Sequence, residues 1–389
     1  MTPEAIVFPI AAIAAFAFLG GPEPSTDVHV DTERGRVVVT VSPLHIPATT
    51  HYHHEGPDEH VSFIWPEDGW LQGYRVDLVD PAGNVLPRAM LHHAGVADLA
   101  RRQLAHAGAE RLIAVGSETE AVTLPSWMGM RMSAGQRLVV YYALVNESGE
   151  PIDGASLRIT VDWRSASAEV YSSPSTFVGR NAHALSRNRR WMSSITEVVP
   201  LILNADPSSG GPKQFDIPTG VSVTSAEISI PVDGHVRALG AHMHDYGTEM
   251  RLEDAETGEV LVTLRAERDA EGRLVGLEQT RFGLSLSGLR LHAHHRYRVV
   301  GVYDNPTGVM IPGAAMAYMA GPFIPDDPSV RPAADPNDPM YRIDVGGITG
   351  EGHGSSVDAV SHHIGHSELV GLHAPDRIAP NDRGIEVLR

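Results

Sequence analysis

Short apolar runs with alternating polar residues, each ended by glycine, proline, asparagine or aspartate, constrain the fold of this chain more than any other feature. Gly35-Arg-Val-Val-Val-Thr-Val-Ser42 is typical, whereas long runs with a 3.6-residue apolar repeat are scarce. Such runs suit pleated strands, whose side chains alternate between two faces. The 38 glycines and 28 prolines supply the turns. The pattern therefore predicts an all-β protein made of sandwiches.

The predicted strands fall into two groups, and 389 residues are enough for two domains with separate cores. Val96 to Leu112 is the best helix candidate. The predicted organisation is a signal-peptide-like or anchor segment 1–25, a β-sandwich 28–165, a linker 166–194, a second β-sandwich 195–325 and a Pro/Asp-rich, then His-rich tail 326–389. We expect that tail to be an appendage to the core.

Composition excludes several classes of function. The formal net charge of −18 disfavours nucleic acid and anionic membrane surfaces as partners. The chain has no cysteine, which excludes disulfides, thiolate metal sites and cysteine nucleophiles. The 21 histidines are the compositional outlier, and they cluster.

The amino-terminal run from Ala5 to Leu19 is apolar and has the length of a signal-peptide core. A Pro-rich polar segment follows it. We therefore expect export to the periplasm or the extracellular space. The alternatives are a membrane anchor, which would be the only membrane contact, and a buried segment.

His242-Met-His244 carries the main chemical signal. Two histidines spaced i, i+2 on a strand project from one face of the sheet and can bind the same metal ion. Met316 offers a soft sulfur donor, which favours copper in its reduced state. Alternatives are structural histidines, core methionines at Met316 and Met319, and a zinc site that uses Asp245 or Glu249.

His92-His93 is the corresponding pair in the first half. Adjacent residues on a regular strand point to opposite faces, so both imidazoles reach one metal only at a bulge or at a strand end. Otherwise one ring packs inside and the other faces water. The loop histidines His51, His53 and His54 are possible additional donors, or simply a solvated loop.

Taken together, these residues resemble the copper type II, ascorbate-dependent monooxygenases, the family of peptidylglycine α-hydroxylating monooxygenase and dopamine β-hydroxylase. The family pattern is His-His in the first domain, then an upstream histidine, His-x-His and a methionine in the second. His235 matches the upstream histidine, and Tyr318 lies in a motif like that of bacterial-type members. The resemblance covers roughly residues 37–325 and is strongest from 234 to 325.

The resemblance implies two jelly-roll-like antiparallel β-sandwich domains, each with one copper ion. His92 and His93 would hold the copper that takes an electron from ascorbate. His242, His244 and Met316 would hold the catalytic copper, with His235 and Tyr318 supporting it. O2 and a small-molecule or peptide-like substrate would then be the reactants of a C–H hydroxylation.

One position departs from the family pattern. Ala143 stands where the third copper-binding histidine of the first domain is expected, and alanine cannot bind a metal. Tyr141, Tyr142 and the histidines of the loop His51–His60 are the alternative donors. A catalytically silent relative that binds or buffers copper is therefore the main alternative. A zinc hydrolase or a metal-free interaction domain is a third hypothesis.

Overall fold

The computed structural model describes residues 23–48, 59–119, 121–166, 195–206, 215–269, 274–282 and 288–349. Their regular structure is almost entirely β-strand, with one α-helix, α1 (Pro339–Thr349), in the described ranges. The predicted all-β class is confirmed. No helix in this part of the chain is long and apolar enough to cross a membrane.

Several sequence predictions concern residues outside these ranges. They are the amino-terminal segment up to residue 22, the linker 167–194, the loop with His51, His53 and His54, and the His-rich tail beyond residue 349.

The described residues of the first half form ten strands in two sheets. The strands are β1 (Ser25–Asp31), β2 (Arg36–Ile46), β3 (Glu59–Ile64), β4 (Gly69–Val79), β5 (Leu91–Arg102), β6 (Ala109–Gly116), β7 (Val122–Thr123), β8 (Met128–Met132), β9 (Arg137–Leu144) and β10 (Ile152–Ser165). One sheet has the order β1-β2-β10-β4-β8, with β7 beside β4, and the other has the order β3-β9-β5-β6.

Side-chain alternation packs these two sheets face to face. Val37, Val39 and Val41 of β2 are at most 1% exposed, while the intervening side chains are less buried. They share one core with Val96 of β5 and Val140 of β9 in the opposite sheet. The first half is therefore a β-sandwich.

The described residues of the second half form fourteen strands. They are β11 (Thr196–Glu197), β12 (Val199–Asn204), β13 (Phe215–Ile217), β14 (Gly220–Ile228), β15 (Gly234–Val236), β16 (Ala238–Met243), β17 (Gly247–Asp254), β18 (Val260–Arg268), β19 (Leu274–Leu277), β20 (Thr280–Arg281), β21 (Leu289–Leu291), β22 (Tyr297–Asn305), β23 (Ile311–Ala315) and β24 (Ala317–Pro325).

Two larger sheets form the second sandwich. One has the order β20-β16-β24-β15-β21, with β12 beside β24, and the other has the order β14-β22-β17-β18-β19; β13 and β23 form a small ribbon. Leu239 and Phe323 from the first of these sheets share a core with Met250 and Val299 from the second. The short strand β11 instead pairs in parallel with β8, so it extends a sheet of the first half.

The helix prediction for Val96 to Leu112 is wrong. This stretch forms most of the antiparallel pair β5 and β6. Val96 faces the sandwich core, whereas Ala97 and Ala109 face a second apolar cluster on the outside of the sheet. Because both faces of β5 are covered, the alternation that marks a strand is lost from the sequence.

The expectation that the tail is an appendage is wrong as far as residue 349. Tyr341 and Ile348 of α1 pack with Ala97, Val139 and Tyr141 on the outer face of β5 and β9. Asp344 of α1 also forms a buried pair with a guanidinium group of the first half, described below. The helix is therefore part of the packed structure, which forms one compact unit up to residue 351.

The two sandwiches share local details. Nδ2 of Asn146, after β9, donates to the carbonyl oxygens of Ile46 (3.2 Å) and Glu150 (2.8 Å). Nδ2 of Asn305, at the end of β22, donates in the same way to Ile217 (3.3 Å) and Val309 (2.8 Å).

Each of these strands also pairs with a bulged neighbour. The register of β5 on β9 shifts between Leu91 and His93, and that of β17 on β22 shifts between Gly247 and Glu249. His92, the extra residue in the bulge of β5, therefore corresponds to Thr248, the extra residue in the bulge of β17. The second-half histidines His242 and His244 lie instead at the end of β16, so the two histidine pairs are on strands that do not correspond.

Candidate metal centre

His242 and His244 lie at the carboxyl end of β16. His242 pairs across the sheet with Tyr318 of β24, and the centres of their rings are 5.1 Å apart. The rings of His242 and His244 have centres 5.2 Å apart, while Met243 between them enters the core. Both imidazoles thus lie on the outer face of the sheet, as the i, i+2 spacing predicts.

Hydrogen bonds orient both rings. Nδ1 of His244 is 2.8 Å from the carbonyl oxygen of Ala314, which can only accept, so Nδ1 carries the proton. Nδ1 of His242 is 2.9 Å from Oε1 of Glu118. A proton on Nδ1 leaves Nε2 of each neutral ring with a lone pair for a metal, as in carboxylate–histidine–metal arrangements. Nε2 of His242 is buried and has no hydrogen-bond partner in the described structure.

Glu118 is a site residue that the sequence analysis missed. It follows β6 in the first half and reaches across to His242 in the second. Burial raises the pKa of Glu118. The charge that His242 carries when it is protonated, its hydrogen bond, and the hydrogen bonds from the backbone and from Thr119 together lower the pKa, so the net pKa is below the ordinary value. The carboxylate is therefore charged at neutral pH. A lone glutamate in Ser117-Glu118-Thr119 carries no motif that could have identified it.

The bulge in β5 determines where the first-half histidines point. Spacing from Ala94 and Val96 would place His92 on the core face, but the extra residue turns its ring outward. The ring centres of His92 and His93 are 5.0 Å apart, and those of His92 and His244 are also 5.0 Å apart. The two histidine pairs thus meet in one cluster across the junction of the halves.

Two cavities adjoin this cluster. A void of about 20 Å³ is lined by His92, Ser117, Glu118, His242, Met243, His244, Asp245 and Leu274. A cavity of about 840 Å³ lies between the halves and reaches His242, Glu118 and Tyr318. Its other lining residues include the apolar side chains Leu71, Leu112, Met130, Leu239 and Leu277 and the cations Arg111, Arg237 and Arg281.

The two candidate methionines lie on opposite faces of the second-half sheet. Met319 belongs to the core. Met316 packs with Ile202 and Tyr318 on the outer face, which also carries His242. Its backbone carbonyl accepts a hydrogen bond of 2.6 Å from the buried hydroxyl of Tyr303. Met316 is therefore on the side of the candidate site.

Other predicted residues lie elsewhere. His235 on β15 pairs with Ile324 of β24, six residues from Tyr318, or about 20 Å along the strand. It lies near Arg290 (3.4 Å) and Asp326 (4.0 Å), so the structure does not bring it to the histidine cluster.

The two carboxylates of the zinc alternative separate. Asp245 lines the small void, whereas Glu249 is paired with Arg251 at 2.9 Å. Ala143 is the cross-strand neighbour of His93 and is 1% exposed. The side chain that β9 places directly opposite His93 is therefore a methyl group.

The donor set fits copper in its chemistry, because neutral imidazoles bind copper and a thioether favours its reduced form. The hydrogen bonds on both Nδ1 atoms and the buried Nε2 of His242 fit the same interpretation. In the described residues, however, no group of three or more His, Asp or Glu side chains has the geometry of a formed metal centre. Metal binding would therefore require the rings to move.

No protein-family model matches the sequence, and no curated protein matches it. The similar solved structures include peptide:N-glycanase F (PNGase F), with 9% identity, a TM-score of 0.32 and coverage of 74% of this chain and 95% of that chain. PNGF-II has 10% identity, a TM-score of 0.22 and coverage of 76% and 61%, respectively. Likenesses at this level carry no argument about function.

Proposed function

We propose that this chain is a copper-dependent monooxygenase that hydroxylates a C–H bond with O2, using ascorbate as the electron donor. The observation that carries the proposal is the pair His242 and His244, whose Nδ1 atoms are held by Glu118 and by the carbonyl of Ala314. The second support is the resemblance of the two histidine pairs and Met316 to the copper type II monooxygenases.

Copper would supply the reaction with O2: one oxygen atom enters the C–H bond, and electrons from ascorbate reduce the other to water. His242 and His244 would bind the metal through Nε2, with Met316 as the candidate sulfur donor. Glu118 would hold the ring of His242 in the required tautomer, and Tyr318 would restrict its position by ring contact.

The cavity of about 840 Å³ is the proposed substrate site, because His242 forms part of its wall. Its volume suits a small molecule or the end of a peptide. Much of the lining is apolar, while the guanidinium of Arg237 lies 5.7 Å from the ring centre of Trp127 and Arg281 is nearby. An apolar substrate with an acidic group would complement these walls.

The test is ascorbate-dependent O2 uptake by the copper-loaded full chain, with a panel of apolar carboxylic acids and glycine-ended peptides as substrates. We expect uptake and a hydroxylated product, and we expect both to be lost in His242→Ala. Copper-loaded, folded protein that consumes no O2 with ascorbate across the panel would overturn the proposal.

A silent copper-binding protein is the second candidate function. Ala143 beside His93 favours it, since β9 then offers no histidine as the third donor for an electron-supplying copper. This candidate requires tight copper binding at His242 and His244 without turnover. Repeated turnover of any substrate would rule it out.

A further inference from the structure

Three histidines from both halves surround one small space. His92 comes from the bulge of β5, and His242 and His244 come from the end of β16. All three line the void of about 20 Å³, whereas His93 does not. A void of roughly 10–15 Å³ already holds one water molecule, so this one has room for a single ion.

Two of the three ring separations match imidazoles that share an ion. Two imidazoles bound to one tetrahedral ion at about 2 Å have ring centres about 5 Å apart. The ring centres of His92 and His244 are 5.0 Å apart, and those of His242 and His244 are 5.2 Å apart. The described side chains do not yet form a group of three donors around one point, so binding of a shared ion requires the rings to rotate.

The first half offers no equally complete alternative for His92. Among the described residues, strand pairing would give a separate ion there only His92 and His93, because the cross-strand neighbour of His93 is Ala143. In contrast, His92 is buried, with 6% exposure, and its ring lies as close to His244 as to His93. Partnership with the second-half pair gives the ion three nitrogen donors.

We propose that His92, His242 and His244 bind one metal ion together, so that a single trihistidine centre joins the two halves of the chain. The inference rests on the metal-binding part of the proposed function and changes its ligand set. His92 takes the place of Met316 as the third donor. Glu118 is a positioning residue for His242, and it also comes from the first half.

The experiment is a copper titration of the full chain against a competing chelator, with bound metal counted by elemental analysis. The ion of interest is the one whose binding is lost in His242→Ala. We expect His92→Ala to lower the affinity for that ion by at least about tenfold, as loss of a ligand should. His93→Ala, the matched control next to it, should leave its affinity unchanged, because His93 does not line the void.

Three results would overturn the shared centre. The first is that His92→Ala loses a different ion and keeps the His242 ion. The second is that His93→Ala has the same effect as His92→Ala. The third is a sulfur neighbour of Cu(I) in the X-ray absorption spectrum of the wild type, which would return Met316 to the ligand set.

The metal-free variants should first show the circular dichroism and thermal unfolding of the wild type. If His92→Ala does not fold, the X-ray absorption spectrum of the wild type is the deciding measurement, and a sulfur neighbour of Cu(I) would overturn the proposal. The assay reports binding only, so a protein that binds copper as expected but takes up no O2 would overturn the monooxygenase proposal and leave the trihistidine centre standing.

Discussion

Oε1 of Glu118 in the first half lies 2.9 Å from Nδ1 of His242 in the second. This contact joins the two sandwiches at the candidate metal centre and selects the tautomer of His242, a candidate ligand. The carboxylate is buried, which raises its pKa, but His242 together with hydrogen bonds from the backbone and from Thr119 holds the pKa below the ordinary value. Both halves therefore determine the chemistry of that ring.

Replacement of Glu118 should weaken copper binding. Glu118→Ala removes the acceptor for Nδ1 of His242, and loss of such a partner costs roughly 10–100-fold in metal affinity. Glu118→Gln keeps an oxygen acceptor and should retain most of the affinity. A chelator-competition titration measures both, and equal affinities for wild type and Glu118→Ala would contradict the expected role.

Copper should stabilise the folded chain through the cluster. An ion that binds only the folded state, at a free concentration 100 times its Kd, adds about 2.7 kcal/mol to the free energy of unfolding. In thermal unfolding, we expect copper to stabilise the wild type by this amount and EDTA to reverse the gain. His242→Ala should show no gain with copper. His295→Ala is the control, because His295 pairs with Asp254 at 2.8 Å, outside the cluster.

Ala143→His should add a metal site. The side chain at position 143 lies beside His93 on the outer face of β9, so a histidine there would give His93, which does not line the void, an imidazole partner. We expect one additional copper per chain by elemental analysis. A folded variant with the copper content of the wild type would show that His93 and a histidine at position 143 do not form a site of their own.

The buried pair between Arg111 and Asp344 should be important for stability. The two guanidinium nitrogens lie 2.9 and 2.7 Å from the carboxylate oxygens, and the side chains are 5% and 3% exposed. Asp344→Ala would leave a buried charge without its carboxylate and should cost about 3–5 kcal/mol. Denaturant unfolding measures this loss.

The control for this experiment is the exposed pair Arg298 and Glu227, whose side chains are 38% and 45% exposed. Because solvent screens exposed ion pairs, Arg298→Ala should cost less than about 1 kcal/mol. A loss in Asp344→Ala no larger than in this control would mean that α1 contributes little to the stability of the first half.

The local pattern was sufficient for much of the fold. Alternating runs such as Val37 to Val41 predicted strands correctly, because one face of each was buried and the other was not. Prediction failed between Val96 and Leu112, where the sandwich core covers one face of β5 and a packed cluster that includes α1 covers part of the other. That second cover comes from residues far along the chain, so no local pattern reports it.

The candidate site, like the fold, was predicted from the sequence only in part. The sequence by itself determined that His242 and His244 share a face, since the i, i+2 spacing on a strand leaves no other arrangement. Only the tertiary structure decided that a bulge turns His92 outward, that Glu118 meets His242 and that the two histidine pairs form one cluster. These contacts join side chains about 120 to 150 residues apart, and packing between the sandwiches creates them.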